Sequence, residues 1–379
     1  MTHAAYLDNA ASAPLRPEVL KTLEAHLRHP DANPSAIHAL GQEARKRVER
    51  ARKEVADLVQ ADVSEVVFTS GATEANNLAI RGVLEPLLDA GRRPHVITSA
   101  LEHASVIKTL ESLVARGLEL TVIPPGTDGV IRVEDVLGAI RPETALVSIT
   151  AVSNEVGSRQ PVEAIGAALR RSVSRPMFHV DAVQAIVSTD VTFATAKADL
   201  FTISAHKIGG PKGVGALVVR RGSDLSAILT GGGQESGRRS GTENTFGISG
   251  FGTAASALVA AREREIASYR KLRGSLLGRL PAGARQIMPA DSPVAPHILA
   301  LECIGKENDW IVLLMSREGV MVAAGSACKS GSREASGAVK AMGLDDQGAR
   351  SVIRVSFGHA TDEKDVDAFI DALSRSLAR

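Results

Sequence analysis

Phe178-His179-Val180-Asp181-Ala182-Val183-Gln184 and, a short segment later, Leu200-Phe201-Thr202-Ile203-Ser204-Ala205-His206-Lys207 are the stretches that decide how this chain folds. Each is an apolar run ending in polar residues, the pattern of a buried strand that delivers its chemistry at the carboxyl edge of a sheet. Asp181 at one strand end and Lys207 at the next supply an acid and a primary amine. Taken alone, a structural ion pair accounts for them as well as a functional one does. The functional alternative is a pyridoxal-phosphate site. There a lysine forms a Schiff base with the aldehyde, and an acid keeps the pyridine nitrogen protonated so that the ring accepts electrons.

Outward from these two stretches, strand-like and helix-like segments alternate between Glu65 and about Val219. Strands are expected at 65–69, 95–99, 119–123, 145–149, 177–180, 200–204 and 214–219, with helices near 74–84, 104–115 and 163–171. This alternation predicts an α/β fold with a mostly parallel sheet covered on both faces. Ligands in such sheets bind outside the carboxyl ends of the strands, where Asp181 and Lys207 fall. Before this region, Tyr6 to Pro14 reads as an extended segment that then turns. Over 41–62, Ala44, Val48, Ala51, Val55 and Leu58 mark one helical face. Its other face, with Arg45, Lys46, Arg47, Glu49, Arg50, Arg52 and Lys53, reads as solvated i,i+4 pairs. A long helix is expected from near Glu243, followed by a strand at 297–301, a helix at 307–317 and a strand at 352–356. The closing helix carries Val366, Phe369, Ile370, Leu373 and Leu377 on one face behind Thr361-Asp362-Glu363. At 379 residues, two domains are the natural expectation: a large one over 15–255 and a smaller α+β one built from 1–14 and 256–379.

Composition excludes several classes of function. A hydrophobic content of 44% with 34 glycines suits a globular enzyme and not a disordered chain. With eight Phe, two Tyr and one Trp, the core must be built from Ala, Val, Leu and Ile. The 44 basic and 43 acidic side chains leave a net charge of +1, so no global field recruits nucleic acid. Two cysteines, Cys303 and Cys328, cannot make a disulfide framework or a multi-cysteine metal site. The N-terminus lacks a basic start followed by a long apolar run, and no apolar stretch is long enough to span a bilayer, which predicts a cytoplasmic protein.

Gly71-Ala72-Thr73-Glu74 follows the apolar run Val66-Val67-Phe68-Thr69 and opens a helix. Helix-start amides and the Thr73 hydroxyl can hold an anion there, although by itself this is an ordinary strand-to-helix turn. Gly209-Gly210-Pro211-Lys212-Gly213-Val214-Gly215 is equally a plain tight turn, and no Gly-Lys-Ser/Thr ends the spacing a P-loop needs. Together with Asp181-x-x-Gln184, Ser204-Ala205-His206-Lys207, Arg239-Ser240-Gly241-Thr242-Glu243-Asn244 and Gly325-Ser326-Ala327-Cys328, however, these blocks resemble the signature blocks of the NifS-like cysteine desulfurases. The resemblance runs in order from Tyr6-Leu7-Asp8-Asn9-Ala10-Ala11 to Ser351-Val352-Ile353-Arg354-Val355-Ser356, essentially the whole chain.

That resemblance implies the fold-type I architecture of pyridoxal-phosphate enzymes, a homodimer, and a set of roles. Lys207 would carry the cofactor, Asp181 pair with its ring nitrogen, and Gln184 hydrogen-bond its ring hydroxyl. His103 would stack on the ring and move protons, and Asn154 would sit near the ring oxygen and the substrate. Ala72, Thr73, Ser204 and His206 would hold the phosphate, joined by Thr242 of the partner subunit. Arg354 would clamp the substrate carboxylate, a task its planar fork suits better than lysine. His38 also falls in a family motif, whereas His179 reads as structural.

Cys328 narrows the reaction, because a fold alone does not determine one. Its segment, Ala323-Ala324-Gly325-Ser326-Ala327-Cys328-Lys329-Ser330-Gly331-Ser332, has no apolar periodicity and predicts an exposed, mobile loop. Lys329 beside it would favour the thiolate. Cys303 follows an apolar strand and reads as inert filler. The resemblance then implies that Cys328 takes sulfur from L-cysteine as a persulfide, leaves alanine, and passes the sulfur to an acceptor such as an iron–sulfur scaffold protein. The Ser-Ala-Cys-Lys-Ser-Gly-Ser loop resembles the longer-loop class, in which the cysteine can also be a transient metal-cluster ligand shared with the scaffold. The sequence ends at Ser374–Arg379 without the tail by which some relatives contact that scaffold, which leaves the acceptor open. Two other readings stand beside this one: another fold-type I enzyme, such as an aminotransferase or a selenocysteine lyase, and a docking protein that keeps the fold without the chemistry. Alanine and sulfide production from cysteine, with and without Cys328→Ala, separates all three.

Overall fold

The strands of the large sheet bury both faces and divide their side chains between two cores. The computed structural model describes residues 4–29, 32–325 and 335–379. In chain order its strands are β1 (Ala5–Tyr6), β2 (Val66–Thr69), β3 (His95–Ser99), β4 (Glu119–Ile123), β5 (Thr144–Thr150), β6 (Met177–Asp181), β7 (Leu200–Ser204), β8 (Gly215–Val219), β9 (Ala284–Gln286), β10 (Ile298–Cys303), β11 (Val320–Met321) and β12 (Val352–Ser356). Seven of them form one sheet in the order β2-β8-β7-β6-β5-β3-β4. Only β8 runs against its neighbours β2 and β7; all the others point the same way.

Because successive strand side chains face opposite sides, Phe68, Val147, Phe178, Val180, Phe201 and Ile203 enter one core while Val67, Leu146, Leu200, Leu217 and Val219 enter the other. The helices Ala72–Asp89 and Ala104–Val114 close the second core. The helices Ala39–Val59, Val162–Leu169 and the 33-residue Thr245–Leu277 contribute to the first. Burial on both faces is why these strands read as continuous apolar runs.

A three-stranded antiparallel sheet, β12-β10-β9, stands apart, and β1 pairs in parallel with β11. The segment after β1 bridges the two sheets. Asp8 pairs with Ser356 beside the small sheet, while Ala13 N–H donates to His206 O and Arg16 N–H to Gly209 O at the end of the large one.

The expected strands all form, with ends moved by one or two residues, and the predicted face of Ala39–Val59 is buried at all five positions. His297 falls just before β10, and Cys303 is that strand's last residue. Three expectations need correction. The helix after β2 starts at Ala72 instead of near Glu74, and the long helix starts at Thr245, where Asn244 caps it by accepting from Gly247 N–H. The helix Pro17–Leu27 was not anticipated, although Pro17 at its first position is a start signal. Finally, Arg52 does not belong to a solvated face. Its guanidinium is largely buried, pairs with both carboxylate oxygens of Glu235 at 2.7 and 2.8 Å, and lies over the Phe68 ring. Residue type could not reveal this, since Glu235 is far away in sequence.

Candidate active site

Five parallel strands, β2, β3, β5, β6 and β7, release their chains at the same edge. The residues that follow them line one cavity of about 550 Å³. Of the residues singled out from sequence, Ala72, Thr73, His103, Asn154, Asp181, Gln184, Ser204, His206 and Lys207 all line it, and Arg354 joins them from β12. Thr242 is exposed on the turn before the long helix and does not line this cavity. His38 caps the helix Ala39–Val59 through Nδ1 and also lies elsewhere. Cys328 lies outside the described residues. Among the described residues no group of three His, Cys, Asp or Glu is placed to hold a metal ion, and no helix is long and apolar enough to cross a membrane.

Lys207 ends the single helical turn that follows β7, and its Nζ donates to Ala10 O at 2.6 Å and Ala11 O at 2.8 Å. Asp181, the last residue of β6, accepts from Asn76 Nδ2 at 2.8 Å and from Val183 N–H at 3.1 Å, so both carboxylate oxygens are held. Gln184 donates to Ala10 O at 2.9 Å.

His103 caps the helix Ala104–Val114: its Nδ1 accepts from Ser105 N–H at 3.1 Å and lies 2.8 Å from Ser105 Oγ. Ser105 Oγ already accepts from Asn76 Nδ2, so its own proton is the one given to His103. With Nδ1 accepting, the ring proton sits on Nε2. Burial pushes the His103 pKa below its ordinary value and Lys207 acts in the same direction, against Asp181 and Glu155. Burial, with Lys207 and Lys212 nearby, likewise pushes His206 down to about 4.

Arg354 is the largest fully buried side chain. It donates through Nη1 to Asn154 O at 2.9 Å and through Nη2 to Asp8 Oδ1 at 2.7 Å, while Nε is buried without a partner among the described residues. Glu102, which neighbours His103 in the chain, is half-buried and accepts from Ser99 Oγ and Thr150 N–H. Burial pushes its pKa up to about 8, with Asp181 adding to the rise.

The cavity fits a phosphorylated pyridine aldehyde. Among the described residues Ser204 Oγ is buried without a partner, where the cavity reaches the end of β7. Beside it, the helix Ala72–Asp89 begins at Gly71, which has no side chain to cap the first amides. Gly71 adopts φ +153°, and a Cβ on Gly215 would come within 2.8 Å of the Gly71 carbonyl carbon, so only glycine permits this close approach of β8. Open amides, an unpaired hydroxyl and two lysines suit an anion. An amine at Lys207 and an acid at Asp181 supply the two groups that a pyridoxal ring requires.

Four supporting residues escaped the sequence analysis: Asn76, Ser105, Glu102 and Asp8. Asn76 had a signal, since it lies one helical turn beyond Ala72 and Thr73 and therefore on the same face. Asp8 stood within the opening block but without a partner to give it meaning. His179 proves structural, as expected, held between Ser148 and Thr202 hydroxyls in the sheet.

The aminotransferase class-V family model matches residues 5–369. A cysteine desulfurase IscS from Dictyoglomus turgidum is 35% identical, covering 100% of this chain and 96% of that protein. Among solved structures, a NifS-like protein superposes with a TM-score of 0.92 at 32% identity, covering 99% of this chain and 100% of that one. A structure described as SspA in complex with cysteine reaches a TM-score of 0.81 at 33% identity over 93% of this chain and 98% of the other. With the site's architecture, these likenesses establish that the chain belongs to the aminotransferase class-V family and, within it, to the NifS-like cysteine desulfurases of the fold-type I pyridoxal-phosphate group.

Proposed function

We propose that this protein binds pyridoxal phosphate in the cavity at the carboxyl edge of the large sheet and uses it to remove sulfur from L-cysteine. The observation that carries this reading is the convergence of Lys207, Asp181, Gln184, His103 and Ser204 on one cavity, with Arg354 beside them. When bound, the cofactor supplies an electron sink that makes the α-proton of an amino acid removable. Lys207 is the amine that would hold the aldehyde carbon, Asp181 the acid at the ring nitrogen, and Gln184 the donor at the ring hydroxyl. Ala72, Thr73, Ser204 and His206 would hold the phosphate, with Thr242 of the partner subunit completing it in a homodimer. Asn154 would sit between ring oxygen and substrate.

Arg354 binds the substrate carboxylate, its Nε having no partner among the described residues and each Nη keeping a second hydrogen. Lys207 would take the α-proton of the bound amino acid, and His103, whose proton is on Nε2, would assist. The Cys328 thiolate attacks the substrate sulfur. A sulfur–sulfur bond forms, the carbon–sulfur bond breaks, its electron pair stays on carbon, and protonation there gives alanine. No outside oxidant or reductant is needed. The persulfide on Cys328 then passes to an acceptor protein for iron–sulfur cluster assembly, with Cys328 as a transient cluster ligand in that handover. The same reading takes 15–255 as the cofactor-binding domain, 1–14 with 256–379 as the domain carrying the cysteine, and the cytoplasm as the place of action.

Incubating the pyridoxal-phosphate-loaded protein with L-cysteine should release alanine and, with a thiol reductant present, an equal amount of sulfide. Cys328→Ala should abolish both products while the visible spectrum still responds to cysteine. Undiminished alanine formation by that variant would overturn the assignment. Sedimentation of an active monomer would overturn the role of Thr242.

A further inference from the structure

We propose that His297 is a positioning residue that fixes which end of the Gln184 carboxamide faces the cofactor cavity. Ala10 O is a carbonyl oxygen and can only accept. It lies 2.9 Å from Gln184 Nε2, so the nitrogen must be the atom on that side. The Gln184 oxygen is thereby turned to His297 Nε2, at 3.2 Å, and an amide oxygen can only accept. His297 must therefore carry its proton on Nε2. Its Nδ1, 2.6 Å from Ser188 Oγ, must accept the serine proton. One tautomer satisfies all three contacts.

In the neutral ring with its proton on Nε2, Nδ1 is the atom that accepts from Ser188. Burial pushes the His297 pKa down to about 3, and the Arg354, Lys207 and Arg273 charges around it act in the same direction. The ring cannot drift: it is almost wholly buried, packs against Tyr269 at 6.3 Å, and its own carbonyl accepts from Phe357 N–H. Ser188 belongs to the large-sheet part of the chain and His297 to the approach to β10, so the contact also ties the small sheet to the site.

With its oxygen turned to His297 and one amide hydrogen given to Ala10, Gln184 keeps a second N–H as its donor for the cavity. The ligand atom it selects is an acceptor oxygen, which for a pyridoxal ring is the ionised ring hydroxyl. This inference rests on the reading that such a ring occupies the cavity. Without His297 only the Ala10 carbonyl holds the carboxamide, and in a turned amide the oxygen would oppose the ring oxygen.

The test measures pyridoxal-phosphate affinity and the pH titration of the visible band in the holoenzyme, not turnover. His297→Leu should weaken affinity roughly threefold to tenfold, the value of one hydrogen bond, and move the apparent pKa of the band upward as the ionised ring oxygen loses its donor. His297→Gln, whose Nε2 can donate where the imidazole did, should restore most of both. In a Gln184→Ala background His297→Leu should change neither, because its effect runs through Gln184. An equal effect of His297→Leu with and without Gln184, or no effect at all, would overturn the proposal. If His297→Leu fails to fold, Ser188→Ala carries the same comparison: releasing Nδ1 should give a smaller upward shift that also vanishes without Gln184, and its persistence there would overturn the proposal. A parent protein that takes up no pyridoxal phosphate would instead refute the cofactor reading, a result distinct from an unchanged His297 variant of a protein that does.

Discussion

Asn76 Nδ2 stands 2.8 Å from both Asp181 Oδ2 and Ser105 Oγ, so one buried carboxamide joins the acid at the end of β6 to the hydroxyl that orients His103. The acid and the histidine that line the cavity are thus linked through a single residue of the helix Ala72–Asp89. Asn76→Leu, close in volume, removes both donors. A hydrogen bond to a charged group is worth about 1.5–3 kcal/mol, so kcat/KM for cysteine should fall roughly tenfold to a hundredfold. The unfolding midpoint should move little, since Asn76 Oδ1 is itself buried without a partner among the described residues and its loss offsets the lost bonds. Unchanged steady-state kinetics would show that Asp181 and His103 need no such link.

Lys207 is the one amine that lines the cavity and is tied by its Nζ to the opening segment, at Ala10 O and Ala11 O. Borohydride reduction of the holoenzyme followed by peptide mass analysis should find the cofactor mass on Lys207. Lys207→Ala should lose turnover yet keep weak cofactor binding through the phosphate contacts. Recovery of the label on Lys212 would contradict the assignment.

Arg354 spends one hydrogen of each Nη on Asn154 O and Asp8, which leaves Nε and the second hydrogen of each Nη for a ligand. A lysine retains the charge but not the fork. Arg354→Lys should raise KM for cysteine about tenfold or more, with a smaller change in kcat. A fall in kcat at constant KM would argue for a role in catalysis instead of carboxylate binding.

Burial, helped by Glu302, pushes the Cys303 thiol up to about 12, so at neutral pH it is protonated as well as enclosed. Iodoacetamide should therefore label the folded protein at Cys328 and spare Cys303 until denaturant is added. Cys303→Ala should keep full desulfurase activity and lose about 1 kcal/mol of stability for the vacated volume. Early modification of Cys303 would contradict the burial that raises its pKa.

Glu102 has a folded-state pKa near 8, above its ordinary value, so the folded protein holds a proton that the unfolded chain releases. Stability from this group is complete below about pH 4 and is lost as pH rises toward 8, with a slope of up to about 1.4 kcal/mol per pH unit. Glu102→Gln keeps an acceptor for Ser99 Oγ and Thr150 N–H but cannot ionise. Urea midpoints measured from pH 5 to 8 should decline less steeply in the variant than in the parent. Parallel profiles would place the Glu102 pKa outside that window.

The alternation of strands and helices, the buried face of Ala39–Val59 and the strand ends that carry Asp181 and Lys207 were all legible along the chain, because apolar periodicity and turn residues act over a few positions. The ordered blocks from Asp8 to Arg354 likewise pointed to the residues that carry the chemistry. What those residues touch was not legible. Arg52 read as one more charge on a solvated helix until the fold brought Glu235 to it. Arg354 read as a carboxylate clamp, and its anchorage to Asp8 lies at the opposite end of the chain. Asn76 on Asp181 and His297 on Gln184 are contacts across more than a hundred residues. A hydrogen bond depends on tenths of an ångström and on which atom faces which. Pattern along a sequence decides which elements form and what chemistry they carry, whereas tautomer, amide orientation and ion-pair choice are settled only when packing brings distant side chains together.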